Sequence, residues 1–276
     1  MESSGSQARP LERTTHPFLG VLFALETVSL DVVAGVVGSA LFLVGLVPGG
    51  RADIPVFASL AAGVLAVYNL DHLLDARATD PRSTPRRSRY SGRRRLLAGY
   101  ALAATFAGAV SVWFLPSVAW KAGTVVAGYQ ALYFIGLRLG LRGPAKRLMA
   151  AAGWAAGLAI PAWCVAPSAA RGELALAAAV IAVVGLVNLQ SYALVEDEAE
   201  ADGGLLPGSV LRGTTIAAGL VGLGCATVLY PQHAIRWLAL AGVGCVQVLL
   251  TALPAELVHP AGEWSLALLG LFAVVG

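Results

Sequence analysis

Apolar residues do not alternate with polar ones along this chain, nor do they recur in the three- and four-residue steps of a soluble amphipathic helix. They come in long runs, nine in all, at roughly 17–47, 54–74, 96–115, 117–137, 148–167, 173–195, 209–230, 233–253 and 256–276. Between Ala175 and Val187 no charged or polar side chain interrupts the run. About 20 mainly apolar residues make a helix long enough to cross the hydrocarbon of a bilayer. In lipid every backbone amide must find its partner within the segment, so such runs predict helices and exclude open strands. The pattern predicts an all-α, polytopic membrane protein of about nine transmembrane helices, one domain over residues 17–276. Residues 1–16 are polar and lack the short apolar core and small-residue cleavage site of a signal peptide. They are expected to be a disordered tail ahead of a retained first helix.

Composition supports the pattern: 57% of the 276 residues are hydrophobic and 13% charged, about half the charge usage of an ordinary soluble domain. The placement of the basic residues orients the chain. Arg9 and Arg13 lie in the tail, eight arginines from Arg77 to Arg95 follow the second run, and Arg138, Arg142, Lys146 and Arg147 follow the fourth. Only Arg51, Lys121, Arg171 and Arg236 fall on the other side. Basic loops stay in the cytoplasm, which predicts a cytoplasmic N-terminus, an exterior C-terminus and residence in the cell's plasma (inner) membrane. The basic face suits the headgroups of an anionic lipid bilayer. No nucleic-acid partner is expected, because the arginine-rich loop is short and lacks interleaved aromatics. Cys164, Cys225 and Cys245 lack any metal or redox spacing and read as small buried hydrophobes.

Eight of the sixteen acidic residues fall in two clusters, each at the end of an apolar run. At the end of the second run and just beyond it come Asn69, Asp71, His72, Asp75 and Asp80, and after the sixth come Glu196, Asp197, Glu198, Glu200 and Asp202. The charge rule puts both clusters in one aqueous compartment. Asp71 and Asp75 are a helical turn apart and share a face; Asp80 follows where Pro81 ends the helix. Three carboxylates this close repel one another unless a cation separates them, and Mg2+ takes one or two carboxylates, waters and substrate phosphate oxygens. Arg82, Arg86 and Arg87 could then fork onto diphosphate oxygens. A solvated helix end with acids paired to those arginines is the plainer alternative. In the second cluster, Asn188, Tyr192 and Glu196 form one stripe at helical spacing, and the first two lie inside the run, where polar groups face the bundle interior. Here the plainer alternative is an acidic loop balancing the basic ones. Glu26 and Asp31 sit in the first run, as contacts to a substrate head group or as partners of arginines across helices.

Taken together, these features resemble the UbiA superfamily of intramembrane prenyltransferases. Members have nine helices around a central cavity and two aspartate-rich motifs, after the second and sixth spans. Asp71, Asp75 and Asp80 followed by Arg82, Arg86 and Arg87 are similar to the first motif; Asn188, Tyr192, Glu196, Asp197 and Asp202 are similar to the second. Lys146 and Arg147, with Tyr133 before them, match the basic end of the loop after the fourth span. The chain departs from the family at His72, at the late Asp80, at Glu196 in place of Asp, and in lacking a lysine within Gly203–Pro207.

The resemblance implies an enzyme that uses Mg2+ to bind an isoprenyl diphosphate. Asp71, Asp75, Asp80, Asn188, Glu196, Asp197 and Asp202 would hold the metal, and Asn69, Arg82, Arg86, Arg87, Lys146 and Arg147 the diphosphate. Loss of diphosphate leaves an allylic cation, which aromatic faces stabilise. Tyr192, Tyr133 and His72 are the expected cation-facing residues, among the aromatics Tyr129, Tyr133, Trp154, Trp163 and Tyr192. The acceptor of the prenyl group (an aromatic ring, a quinone precursor or a lipid) is left open. Two alternatives stand beside transfer: a terpene cyclase on the same scaffold, and a transporter with acidic gates, which predicts acids at the bilayer midplane and symmetry between halves.

Overall fold

The structure, a computed structural model, describes residues 17–75, 92–195, 208–250, 253 and 255–273. Ten α-helices account for most of these: α1 (Pro17–Thr27), α2 (Leu30–Gly45), α3 (Ile54–Asp75), α4 (Arg94–Val112), α5 (Ser117–Arg138), α6 (Gly143–Val165), α7 (Arg171–Val195), α8 (Gly208–Gly224), α9 (Ala234–Leu249) and α10 (Ala255–Leu268). A π turn, Cys225–Leu229, ends α8, and a 3-10 turn, Leu269–Ala273, prolongs α10. No strand occurs among the described residues, as the unbroken apolar runs predict.

Four helical stretches are long and apolar enough to cross a membrane: Ile54–Leu73, Arg94–Val112, Gly143–Val165 and Ser168–Tyr192. Counting the bent pairs α1–α2 and α8–α9 as one span each brings the number to six. Of the rest, α5 has the length, 22 residues, but Lys121, Gln130 and two tyrosines dilute its apolar character. The last helix, with its 3-10 extension, is a shorter apolar stretch, Leu257–Ala273. All nine runs are thus helical where described, while length and apolarity qualify four to six.

The first run is not the single long helix its composition suggested. It bends by 79° between α1 and α2, and Ser29 at the bend has φ 61°. A non-glycine residue is strained in this left-handed region, so neighbouring groups must hold it there. Ser29 N–H donates to Glu26 O at 3.0 Å. Asn69 Nδ2 of α3 donates to Val28 O at 3.1 Å, Ser29 Oγ lies 3.3 Å from His72 Nδ1, and Arg93 donates to Thr27 Oγ1 at 3.0 Å. The run at 209–253 breaks as well, with α8 and α9 meeting at 119°.

The core lies between α2, α6, α7, α9 and α10, where Phe42, Leu43, Leu46, Leu158, Ile181, Trp237, Leu240 and Leu269 are buried. Small residues bring α2 and α10 together: a Cβ on Gly38 would run into the backbone of Ala267. On the outside, α4 and α5 expose Leu102, Phe106, Trp113 and Val125. So much bare apolar surface suits lipid and would be unfavourable in water.

At one end of the bundle, Glu173 Oε1 accepts from Trp237 Nε1 at 2.9 Å and pairs with His233 Nδ1 at 2.8 Å. This contact clasps the start of α7 to the α8–α9 bend. Trp163 is at the same end, with the Arg171 guanidinium 5.3 Å above its ring.

Candidate functional site

At the opposite end, polar side chains are buried in the same apolar interior. That end holds the junction of α1 and α2, the C-terminal halves of α3 and α7, and the N-terminal halves of α6 and α10. The buried residues are Glu26, Ser29 and Asp31 beside the bend, Asn69 and His72 on α3, Arg147 on α6, Asn188, Gln190 and Ser191 on α7, and His259 and Glu263 on α10. Charged and amide groups are costly inside a membrane bundle, and where they occur they mark a binding or reaction site by default.

Three sets of contacts assemble this end. The first is the bend, held by Asn69, His72 and Arg93 as described above. The second joins α6 to α7: Arg147 donates to Gln190 Oε1 at 3.4 Å, which leaves the Gln190 Nε2 donor buried with no hydrogen-bond partner among the described residues. The third joins α7 to α10. Glu263 Oε1 accepts from Asn188 Nδ2 at 3.2 Å and from the Tyr192 hydroxyl at 3.1 Å. Tyr192 OH is also 3.2 Å from the His259 carbonyl, and its ring stacks on the His259 imidazole with centroids 3.5 Å apart.

Glycines make the third set fit. A Cβ on Gly262 would collide with Asn188 Oδ1 and come within 2.5 Å of Tyr192 OH, and one on Gly35 would lie 2.7 Å from Glu263 Oε2. Asp31, one turn before Gly35 on α2, shares that seam.

The expected site residues divide accordingly. Asn188, Tyr192 and Arg147 are buried at this end, and Lys146 is half-buried beside Arg147. Asp71 is exposed on α3 while Asn69 and His72 are buried. Asn69 commits both N–H groups, to Val28 O and to Leu65 O at 2.8 Å. In this arrangement Asn69 holds the bend. Tyr133 is half-buried on α5, edge-on to Phe134 at 5.6 Å, and Tyr129 ties α5 to α6 through the Met149 carbonyl at 2.8 Å. Trp163, at the far end, is not part of this group. Asp80, Glu196, Asp197, Asp202, Arg82, Arg86 and Arg87 lie outside the described residues, as does the Asp75 side chain.

Among the described residues no three of His, Cys, Asp and Glu converge as a metal site. Asn188 Oδ1 is a buried oxygen with no hydrogen-bond partner among the described residues, an atom type that a hard cation such as Mg2+ accepts as a ligand.

Glu263, His259 and Gln190 were not anticipated as site residues. A carboxyl and an imidazole four residues apart inside the last apolar run are the signal that could have found the first two. Gln190 lies on the α7 face away from Asn188, and only the packing of α6 against that face makes it a site residue.

No protein-family model matches the chain, and neither the curated proteins nor the solved structures contain a match.

Proposed function

We propose that the chain is a membrane enzyme that binds an isoprenyl diphosphate and transfers its prenyl group to an acceptor. The observation that carries this reading is the buried polar assembly from α2, α3, α6, α7 and α10. It lies at the end of an apolar bundle to which both acid-rich segments attach. A substrate with an anionic head and a hydrocarbon tail matches a site that is polar at the membrane edge and apolar behind it. The two aspartate-rich motifs of the sequence support the same reading. It takes the nine apolar runs as nine crossings, with the polar end in the cytoplasm.

Mg2+, when bound through residues such as Asp71, Asp75, Asp80, Asn188, Glu196, Asp197 and Asp202, supplies charge neutralisation for the departing diphosphate. Arg147, buried and held by Gln190, binds diphosphate oxygens together with Lys146, Arg82, Arg86 and Arg87. Positive charge that is already in place as negative charge develops lowers the barrier without reorganisation. The C–O bond of the allylic diphosphate breaks with its electron pair going to the diphosphate oxygen. An electron pair of the acceptor forms the new bond to carbon, and the acceptor's proton leaves to solvent. The ring of Tyr192 stabilises the intervening cation.

The test is to incubate the purified protein with Mg2+ and prenyl diphosphates, with and without phenolic or lipid acceptors. Acceptor-dependent release of diphosphate and a prenylated product are expected. A cyclic hydrocarbon formed without acceptor would replace transfer by cyclisation, and no diphosphate release from any prenyl diphosphate would overturn the enzymatic reading.

A further inference from the structure

Apart from Glu256 near its start, α10 carries two ionisable side chains, His259 and Glu263, one turn apart and both buried. A carboxyl group held in an apolar interior is costly unless it is compensated, so its contacts should say what it is for. Both donors that Glu263 Oε1 receives come from α7. They are the two in-membrane polar residues of the second motif, Asn188 at 3.2 Å and Tyr192 at 3.1 Å.

Tyr192 is restricted from three sides. Its hydroxyl carries one hydrogen, which lies between Glu263 Oε1 and the His259 carbonyl at 3.1 and 3.2 Å. One ring face is covered by the His259 imidazole at 3.5 Å and 27°. Leu250 and Val258 pack around it in the same apolar cluster. The ring as a whole is buried among these groups. Gly262 keeps the arrangement tight, since any side chain there would strike Asn188 and Tyr192 together.

We infer that Glu263 is a positioning residue for the reaction proposed above, acting through Tyr192: it fixes the phenol and adds electron density to the ring that faces the allylic cation. A carboxylate is a stronger acceptor than an amide. An electron-richer ring holds a cation better, because the attraction is to the ring's quadrupole. Of the titratable groups buried on elements packed against α10, Glu26, Asp31 and Tyr192 lie at this end and Glu173 and Arg236 at the other, with His259 on α10 itself. All of them stay unchanged in the variants below except Tyr192, which is altered on purpose.

This inference rests on the prenyl diphosphate reading, and the experiment separates the two. Wild type, Glu263→Gln, Tyr192→Phe and the double variant are compared for kcat and KM with a prenyl diphosphate and Mg2+, and for thermal unfolding in detergent. Glu263→Gln keeps an amide oxygen for both donors. It is expected to unfold within a few degrees of wild type, to lose about tenfold in kcat, the scale of one weakened charge-assisted hydrogen bond, and to leave KM unchanged. In the Tyr192→Phe background the same change is expected to have no further effect on kcat, because the phenol it acts through is gone. A Glu263→Gln loss that persists in full in the Tyr192→Phe background overturns the inference. So does a loss confined to KM, or a change in unfolding with none in kcat. Wild-type protein that turns over no prenyl diphosphate sinks the functional reading and the inference with it, whereas turnover with additive variants sinks the inference alone.

Discussion

At the scale of single residues, the candidate site is marked by polar groups buried in an apolar interior. The Arg147 guanidinium is buried against the Gln190 amide oxygen. A guanidinium only donates, so it holds that oxygen and turns the Nε2 donor away. Hydrogen bonds to charged groups contribute about 1.5–3 kcal/mol. Arg147→Ala is therefore expected to lower kcat/KM for the diphosphate by roughly 10- to 100-fold, with Arg147→Lys in between because a point charge lacks the planar fork. Steady-state assays across the three proteins check this. Glu173, at the other end, serves as the contrast. Glu173→Ala leaves the Trp237 and His233 nitrogens without their acceptor. It is expected to destabilise the fold by about 1–3 kcal/mol, read as a lower midpoint in detergent, while kcat per folded molecule stays within about twofold, the size of a minor change in the barrier.

At the scale of helices, the close approaches and the bend matter most. Gly262→Val is expected to destabilise by about 1–3 kcal/mol, the usual range for overpacking, because the added atoms meet Asn188 and Tyr192. Gly99→Ala, in α4 with open space around it, is expected to be neutral or to gain up to about 1 kcal/mol from helix propensity. Thermal unfolding of both variants side by side tests the α7–α10 contact. Ser29→Val puts a β-branched residue at φ 61° and removes the hydroxyl beside His72. A loss of about 1–3 kcal/mol is expected from backbone strain alone. The sequence announced the polar stripe on α7, because Asn188 and Tyr192 interrupt an apolar run at helical spacing. It did not announce the bend. Residues 17–47 read as one long apolar helix, since nothing local in Thr27, Val28 and Ser29 forbids a helix there. The contacts that hold the break come from Asn69, His72 and Arg93, which are distant in sequence.

For the whole molecule, the reading predicts dependence on Mg2+ and a single cytoplasmic polar face. Chelating divalent metal with EDTA is expected to abolish diphosphate release, and added Mg2+ to restore it. A cysteine introduced by Arg86→Cys, in the basic segment after α3, is expected to react with an impermeant thiol reagent only from the cytoplasmic side, in a background lacking the native cysteines. Labelling from outside would reverse the orientation that the charge distribution implies.

Helicity, and the membrane as solvent, were determined by the sequence alone. Both follow from runs of apolar residues whose backbone must satisfy itself, and neither depends on which helices are neighbours. The same holds for the candidate status of Asn188 and Tyr192, which are polar where polarity is costly; Arg147 read as a loop cation and became a candidate through the resemblance alone. What only the tertiary structure decided was their company: Glu263 beneath Tyr192, Gln190 beside Arg147, and Asn69 holding the bend while Asp71 is exposed. Helical periodicity places residues on a face of their own helix. Which face meets which neighbour depends on close approaches such as Gly38 against Ala267 and Gly262 against Asn188, and those are long-range contacts that no local pattern encodes.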